Sequence, residues 1–252
     1  MNVADLIAAL DLPDAARVDQ RVPKRLLVEH GAPTAADKRR INDGIEEVYW
    51  LAALKPTTVG VPAFRDTVRE YLEIAVLRAT LRADSKADRL AELTHRAVPY
   101  PVLLIAVQGD VISLSLAHKR WSQGEAGAMV LDGDLVGADL SAGLDGALGQ
   151  GFREALPLAR HARTHLFALY QSWMDTVLTL LAARVTGTFA SPDSPEHAVA
   201  RRNALTQCAR LDAEIARLRA AAAKERQVAR QVEINLTLQR LKEQRDAARQ
   251  EL

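Results

Sequence analysis

Aromatic residues make up only 4% of this 252-residue chain. Its interior must therefore rest on Leu, Val, Ile and Ala, a palette that leans toward helix because Ala and Leu carry high helix propensity. A single cysteine, Cys208, excludes an internal disulfide and any cysteine-based metal cluster. No apolar run has the length expected of a membrane span, and the opening MNVADLIAALDLPD is acidic where a secretory signal would be basic. The expected address is the cytoplasm, with no membrane partner. Glycine and proline are both missing after Pro195, so no local signal breaks helix over the last quarter.

Hydrophobic residues at 48% and charged residues at 26% are ordinary for a globular protein, which excludes wholesale disorder. The length allows one large domain or two smaller ones. The formal charge of +1 hides an asymmetry: Val199–Leu252 holds 12 Lys/Arg against 7 Asp/Glu, and residues 1–198 hold 21 against 25. Such a tail meets an acidic partner, docks on the acidic part of its own chain, or simply presents a solvated helix face.

In the last quarter, Cys208, Leu211, Ile215, Leu218 and Ala222 recur at steps of three and four. Ile234, Leu238, Leu241, Arg245, Ala248 and Leu252 do the same, with Arg245 the one polar intruder. That is the spacing of a coiled-coil seam. Twelve residues separate Ala222 from Ile234, so the two runs do not share a heptad phase. A helical hairpin bent between Ala223 and Gln231 is expected, each arm on the order of 40 Å at 1.5 Å per residue.

Upstream, Asp5–Leu10 reads as a short helix stopping before Pro13, and RVPKRLLVEHG as an extended Val-Pro step followed by a turn of helix ending at Gly31. Thr34 and Asp37 stand in a capping-box arrangement, opening a helix expected to run to Leu54 with Ile41, Ile45, Val48, Leu51 and Ala52 inward. Residues 66–82 fit strand and helix alike. Asp84 or Ser85 is expected to cap a helix over Lys86–Ala97. VLLIAV after Pro101 suits a buried strand, and Val111–Lys119 alternates cleanly beyond the turn Gln108-Gly109-Asp110, which predicts a hairpin. Ala128–Leu140 reads as a further strand interrupted at Asp132-Gly133-Asp134.

The expected organisation is an α/β domain over 1–142, a glycine-rich hinge over 143–151, a long helix over 152–190 and a basic coiled-coil hairpin over 194–252. The fold class is α+β, a small and mostly antiparallel sheet flanked by helices, followed by the long helix and the hairpin.

Several segments together resemble a bacterial family known as domain of unknown function 4391. They are RVPK at Arg21–Lys24, VYWLAALKPTTVGVP at Val48–Pro62, AVPYPVLLI at Ala97–Ile105, LAHKRW at Leu116–Trp121 and KERQVARQVEINLTLQRLK at Lys224–Lys242. The resemblance spans nearly the whole chain. It implies a strand at EYLEIAVLRATL, and it implies the company of helicases and DNA methyltransferases in anti-phage defence clusters. No catalytic residue comes with it. Where the family carries Lys-Asn-Arg-Lys-type charge, this chain has Val228-Ala229-Arg230-Gln231, which weakens the basic character of the hairpin bend.

Known chemistries find little purchase. The glycines at 143, 146, 149 and 151 match neither phosphate-loop spacing, and no GxSxG elbow exists. No cofactor is expected. His161 and His165, at i and i+4, are the one weak metal candidate, lacking the Glu that a zinc-protease motif needs. Asp66, Glu70 and Glu73 give a degenerate acidic set for a metal-dependent nuclease, but no Lys follows at the required step, and Arg78 cannot replace it because a guanidinium stays protonated. Lys119, Arg120 and Trp121, with Lys24 and Arg25, are candidates for phosphate and base contact, joined by Arg226 and Arg230 of the hairpin. The expected role is a non-catalytic accessory subunit. It would use the seam residues Leu211, Ile215, Leu218, Ile234, Leu238 and Leu241 to hold a helicase- or methyltransferase-type partner or a second copy. A nuclease-like enzyme and a direct nucleic-acid-binding protein stay open beside it.

Overall fold

The structure, a computed structural model, describes residues 2–141, 143–144 and 146–252. Ala142 and Asp145, which belong to the expected domain end and hinge, lie outside the described residues. In chain order the elements are α1 (Val3–Ala9), β1 (Arg17–Arg21), α2 (Lys24–Gly31), α3 (Ala35–Gly44), β2 (Ile45–Leu54) and α4 (Pro56–Val59). Then come β3 (Phe64–Arg65), β4 (Glu70–Tyr71), β5 (Ile74–Leu81), α5 (Ala87–Ala97), β6 (Val102–Gln108), β7 (Val111–Trp121) and β8 (Met129–Asp139). The chain ends with α6 (Gly146–Ala155), α7 (Leu166–Thr186), α8 (Pro195–Ala222) and α9 (Val228–Arg249). It divides into two compact units, residues 1–177 and 178–252, the boundary falling inside α7.

Among the described residues of the first unit, six strands form one sheet in the order β1-β2-β5-β6-β7-β8. Only β5 and β6 are parallel, and α5 is the crossover that such a pair requires. β6 sits centrally and is buried from Val102 to Ala106, which explains its continuous apolar run. Leu27 of α2, Ile41 of α3 and Leu90 and Leu93 of α5 pack with Val48, Leu77, Ala79 and Leu104 of the strands to form a core. Gly31 allows the close approach of α2 and α5: a Cβ there would lie 2.5 Å from the Leu93 carbonyl oxygen. Tyr170 of α7 anchors to β6 and β7, its hydroxyl donating to the Val102 carbonyl at 2.6 Å and accepting the Ala117 N–H at 2.8 Å. By length and composition α7 is apolar enough to span a membrane, contrary to the reading of the bare sequence, but 61% of its apolar window is buried inside the fold, as suits a core helix.

The expected helix from Thr34 stops at Gly44, and its second half is strand β2. Two irregularities in the pairing of β2 with β5, between Ile45 and Glu47 and between Trp50 and Ala52, explain why the strand passes for a helix. Each bulge advances the buried side by an extra residue, so Ile45, Val48 and Ala52 recur at three and four instead of two. Thr34 caps α3 by accepting the Asp37 N–H at 3.1 Å, and the Asp37 carboxylate accepts the Thr34 hydroxyl at 2.8 Å while also pairing with Arg40 and Arg89. Neither Asp84 nor Ser85 caps α5; Lys86 stands at that position without a side-chain bond. The ambiguous segment becomes β4 and β5, and β8 is one strand over Met129–Asp139 whose pairing with β7 is irregular at the expected interruption: the partners jump from Val136 to Asp132, and Gly133 has a φ of +83°. The glycine-rich segment is helix α6 from Gly146 onward, with Gly149 so close to the Leu144 carbonyl that no side chain fits.

The second unit contains the helical hairpin of α8 and α9, turning at Ala223–Gln227 within the expected span. Cys208, Leu211 and Ile215 are buried against Leu238 and Ala248, while Leu218, Ile234 and Leu241 are half-buried. Arg245 accommodates its place in the seam by reaching Asp212 at 3.4 Å and Asp246 at 2.8 Å. At the open end Arg201 donates to the carbonyls of Ala190 and Leu252, joining the start of one helix to the end of the other.

Candidate functional site

Two of the expected cationic contacts are structural. Lys119 is fully buried, and its ammonium donates to the carbonyls of His95 and Val98 at the end of α5. Lys24 does the same for α3, donating to Asn42 at 3.0 Å and to Ile45 at 2.9 Å where helix passes directly into strand. Both lysines satisfy carbonyls that a helix C-terminus leaves without partners, and their charge suits the negative end of the helix dipole. Their ammonium groups are taken up as helix caps, where the sequence suggested phosphate contacts. Burial, with Arg96 adding repulsion, pulls the Lys119 ammonium down to about 7.

Of the neighbours, Arg120 donates to the Trp121 carbonyl at 3.2 Å and lies 3.6 Å from Asp132. Trp121 is half-buried, and its backbone N–H donates to the Val68 carbonyl at 2.8 Å. Arg25 is exposed beside Glu29 at 3.4 Å. Arg226 and Arg230 are exposed at the hairpin bend.

The acidic set does not assemble into a metal-binding site. Asp66 accepts the N–H groups of Val68 and Arg69, closing the β3–β4 turn, and those bonds hold its carboxyl below the usual range. Glu70 pairs with Arg65, and Glu73 is buried against Lys55 at 3.2 Å. The histidine pair also separates. His161 lies before α7 with its ring held by Ser172 at 3.0 Å and the Leu156 carbonyl at 3.2 Å. His165 accepts the Ala168 N–H at 3.0 Å, and its ring lies tilted against Phe64 with centroids 4.6 Å apart. Among the described residues no group of three or more His, Cys, Asp or Glu is placed to hold a metal ion.

Two polar constellations had no signal in the sequence. Tyr71 lies 2.5 Å from His118 Nδ1, His118 Nε2 lies 2.8 Å from Gln171, and the Gln171 amide donates to Asp175 at 2.8 Å. Burial pushes the Tyr71 phenol well above its ordinary value, so it remains a donor and fixes the direction of the chain. Phe64, Phe167 and Tyr170 surround it, with Arg69 over Phe167 and paired to Asp132. The second joins His95 Nε2 to Ser115 at 3.0 Å. His95 is buried, burial and the Lys119 charge bring it down to about 3, and its Nδ1 has no hydrogen-bond partner. An imidazole so reluctant to take a proton is a poor general base near neutral pH. The pair therefore serves as a packing bond between α5 and β7. Two open grooves, of 1050 and 710 Å³, meet at Arg96 of α5, the first reaching Arg120 and the second floored by Ser113 and Ser115 of β7.

The model of a family described as a domain of unknown function, DUF4391, matches residues 10–244, which bears out the resemblance carried by the segments from Arg21 to Lys242. No curated protein and no solved structure matches the chain.

Proposed function

The chain belongs to the domain of unknown function 4391 family, and we propose that it acts as a non-catalytic accessory subunit. Its helical hairpin docks on a DNA-acting enzyme of helicase or methyltransferase type in a bacterial anti-phage system. The observation that carries this is on α9. Val232 and Leu236, one turn apart, keep 52% and 54% exposure although the seam between α8 and α9 is already filled by Leu211, Ile215 and Leu238. Adjacent large apolar side chains left in water suit burial against a second protein, which supports the docking reading. Exposed Val199 on α8 adds to the apolar supply. The engagement of Asp66, Glu70 and Glu73 in local pairs supports the non-catalytic side of the reading.

The test is co-purification of the full chain from its native host, with molar mass measured by light scattering. A stoichiometric complex with a helicase or methyltransferase, lost in the Val232→Asp, Leu236→Asp double variant, is the expected result. A self-sufficient dimer would replace the partner with a second copy. Magnesium-dependent DNA cleavage by the isolated chain, abolished by Glu73→Gln with folding intact, would overturn the proposal in favour of a nuclease.

A further inference from the structure

Charge on the hairpin is not spread evenly. Along its shaft, residues 195–217 and 232–249, eight Lys/Arg accompany six Asp/Glu. Several of these are paired: Arg217 with Glu214 at 2.6 Å, Arg245 with Asp212 at 3.4 Å and Arg249 with Asp212 at 3.9 Å. That is how a solvated helix face looks. Around the bend, from Leu218 to Gln231, the balance changes to four cations, Arg219, Lys224, Arg226 and Arg230, against the single carboxylate of Glu225. All four cations are exposed.

Glu225 offsets only one of them, leaving the bend at +3. Its Oε1 accepts the N–H groups of Arg226 and Gln227 at 2.8 and 2.9 Å, and Arg230 approaches the other oxygen only to 3.9 Å. The four residues from Ala220 to Ala223 offer methyl groups that screen nothing, and no aromatic residue follows Phe189 anywhere in the chain. The bend is thus a narrow end carrying several cations and no aromatic side chain.

We infer that the hairpin tip binds the phosphate backbone of a nucleic-acid duplex without reading its sequence. Closely spaced phosphates are the partner that several clustered cations at one narrow end fit best, and a guanidinium meets a phosphate in a two-pronged bond. Without an aromatic platform, unpaired bases gain little there beyond contact with a guanidinium, so the denser phosphate charge of a duplex makes it the preferred partner over a single strand. Four neutralised phosphates give a slope of about −3.6 for log affinity against log salt, or roughly a hundredfold loss between 50 and 200 mM. The inference stands apart from partner docking, since none of the four cations is Val232 or Leu236.

Fluorescence anisotropy of the full chain with short dye-labelled DNA duplexes of unrelated sequence, titrated across that salt range, tests it. The duplexes are expected to bind alike and more tightly than a single strand of the same sequence. Each of Arg219→Gln, Lys224→Gln, Arg226→Gln and Arg230→Gln is expected to reduce the slope by about 0.9, whereas Arg210→Gln on the shaft leaves it unchanged. Circular dichroism of each variant confirms that the hairpin is retained. Absence of binding at low salt, binding undiminished in the quadruple variant, preference for the single strand, or binding only to phosphatidylserine vesicles would each overturn the inference.

Discussion

Lys119 shows how one buried side chain joins helix capping to stability. Its ammonium is the donor for two carbonyls of α5, so Lys119→Met leaves both without a partner in the interior. Losses of about 2–4 kcal/mol in unfolding free energy are expected by urea denaturation, from charged hydrogen bonds and unsatisfied acceptors together. The pH dependence follows from its titration near 7 in the fold against 10.5 in an unfolded chain. Between those values the unfolded chain holds the extra proton, so stability rises with pH there. The parent should therefore gain on Lys119→Met as pH climbs from 7 toward 10; a gap that narrows would show that Lys119 keeps its charge when buried. Asp37 has the same sign in a lower window. Its carboxylate, held far below the usual range by Arg89 and Thr34, contributes stability that is fully present above about pH 4 and is lost progressively as pH falls below it. Neither residue betrays its role in the sequence, because the groups that define each one, the end of α5 for Lys119 and Arg89 for Asp37, arrive from far along the chain.

At the scale of elements, what could be read in advance was local and what was missed was relational. The β6–β7 hairpin was legible because alternation and a Gly109-Asp110 turn lie within one stretch, and the observed register, Gln108 against Val111, agrees. The α8–α9 hairpin was legible for the same reason, each arm carrying its own apolar spacing. The switch from α3 to β2 was not, since bulges opposite β5 reproduce a helical period and only the partner strand reveals them. Close contact between elements is equally invisible in sequence but sharp in effect. Gly31→Ala places a methyl 2.5 Å from Leu93 O and 2.8 Å from the Ala97 Cβ. Separating α2 from α5 to admit it is expected to cost about 1–3 kcal/mol, a drop in melting temperature measurable by calorimetry.

At the scale of the whole molecule, the two units carry different reporters. Trp50, Trp121 and Trp173 all lie in residues 1–177, and the hairpin has no aromatic residue. Ile215→Asp, which puts a carboxylate into the buried seam, is expected to lower helical ellipticity while leaving tryptophan emission and its denaturation midpoint in place. A shift of both signals together would show that the units fold as one. The family, the α+β class and the existence of the hairpin were all open to sequence reading at this scale; the boundary inside α7 was not, because α7 is one uninterrupted helix with no break in composition. The single cysteine has a last consequence. Cys208 is 6% exposed within the seam, and burial raises its thiol above the ordinary value. A disulfide reagent can reach it only when α8 and α9 part, so the labelling rate of the untouched protein becomes a clock for hairpin opening, with no engineered probe to disturb what it times.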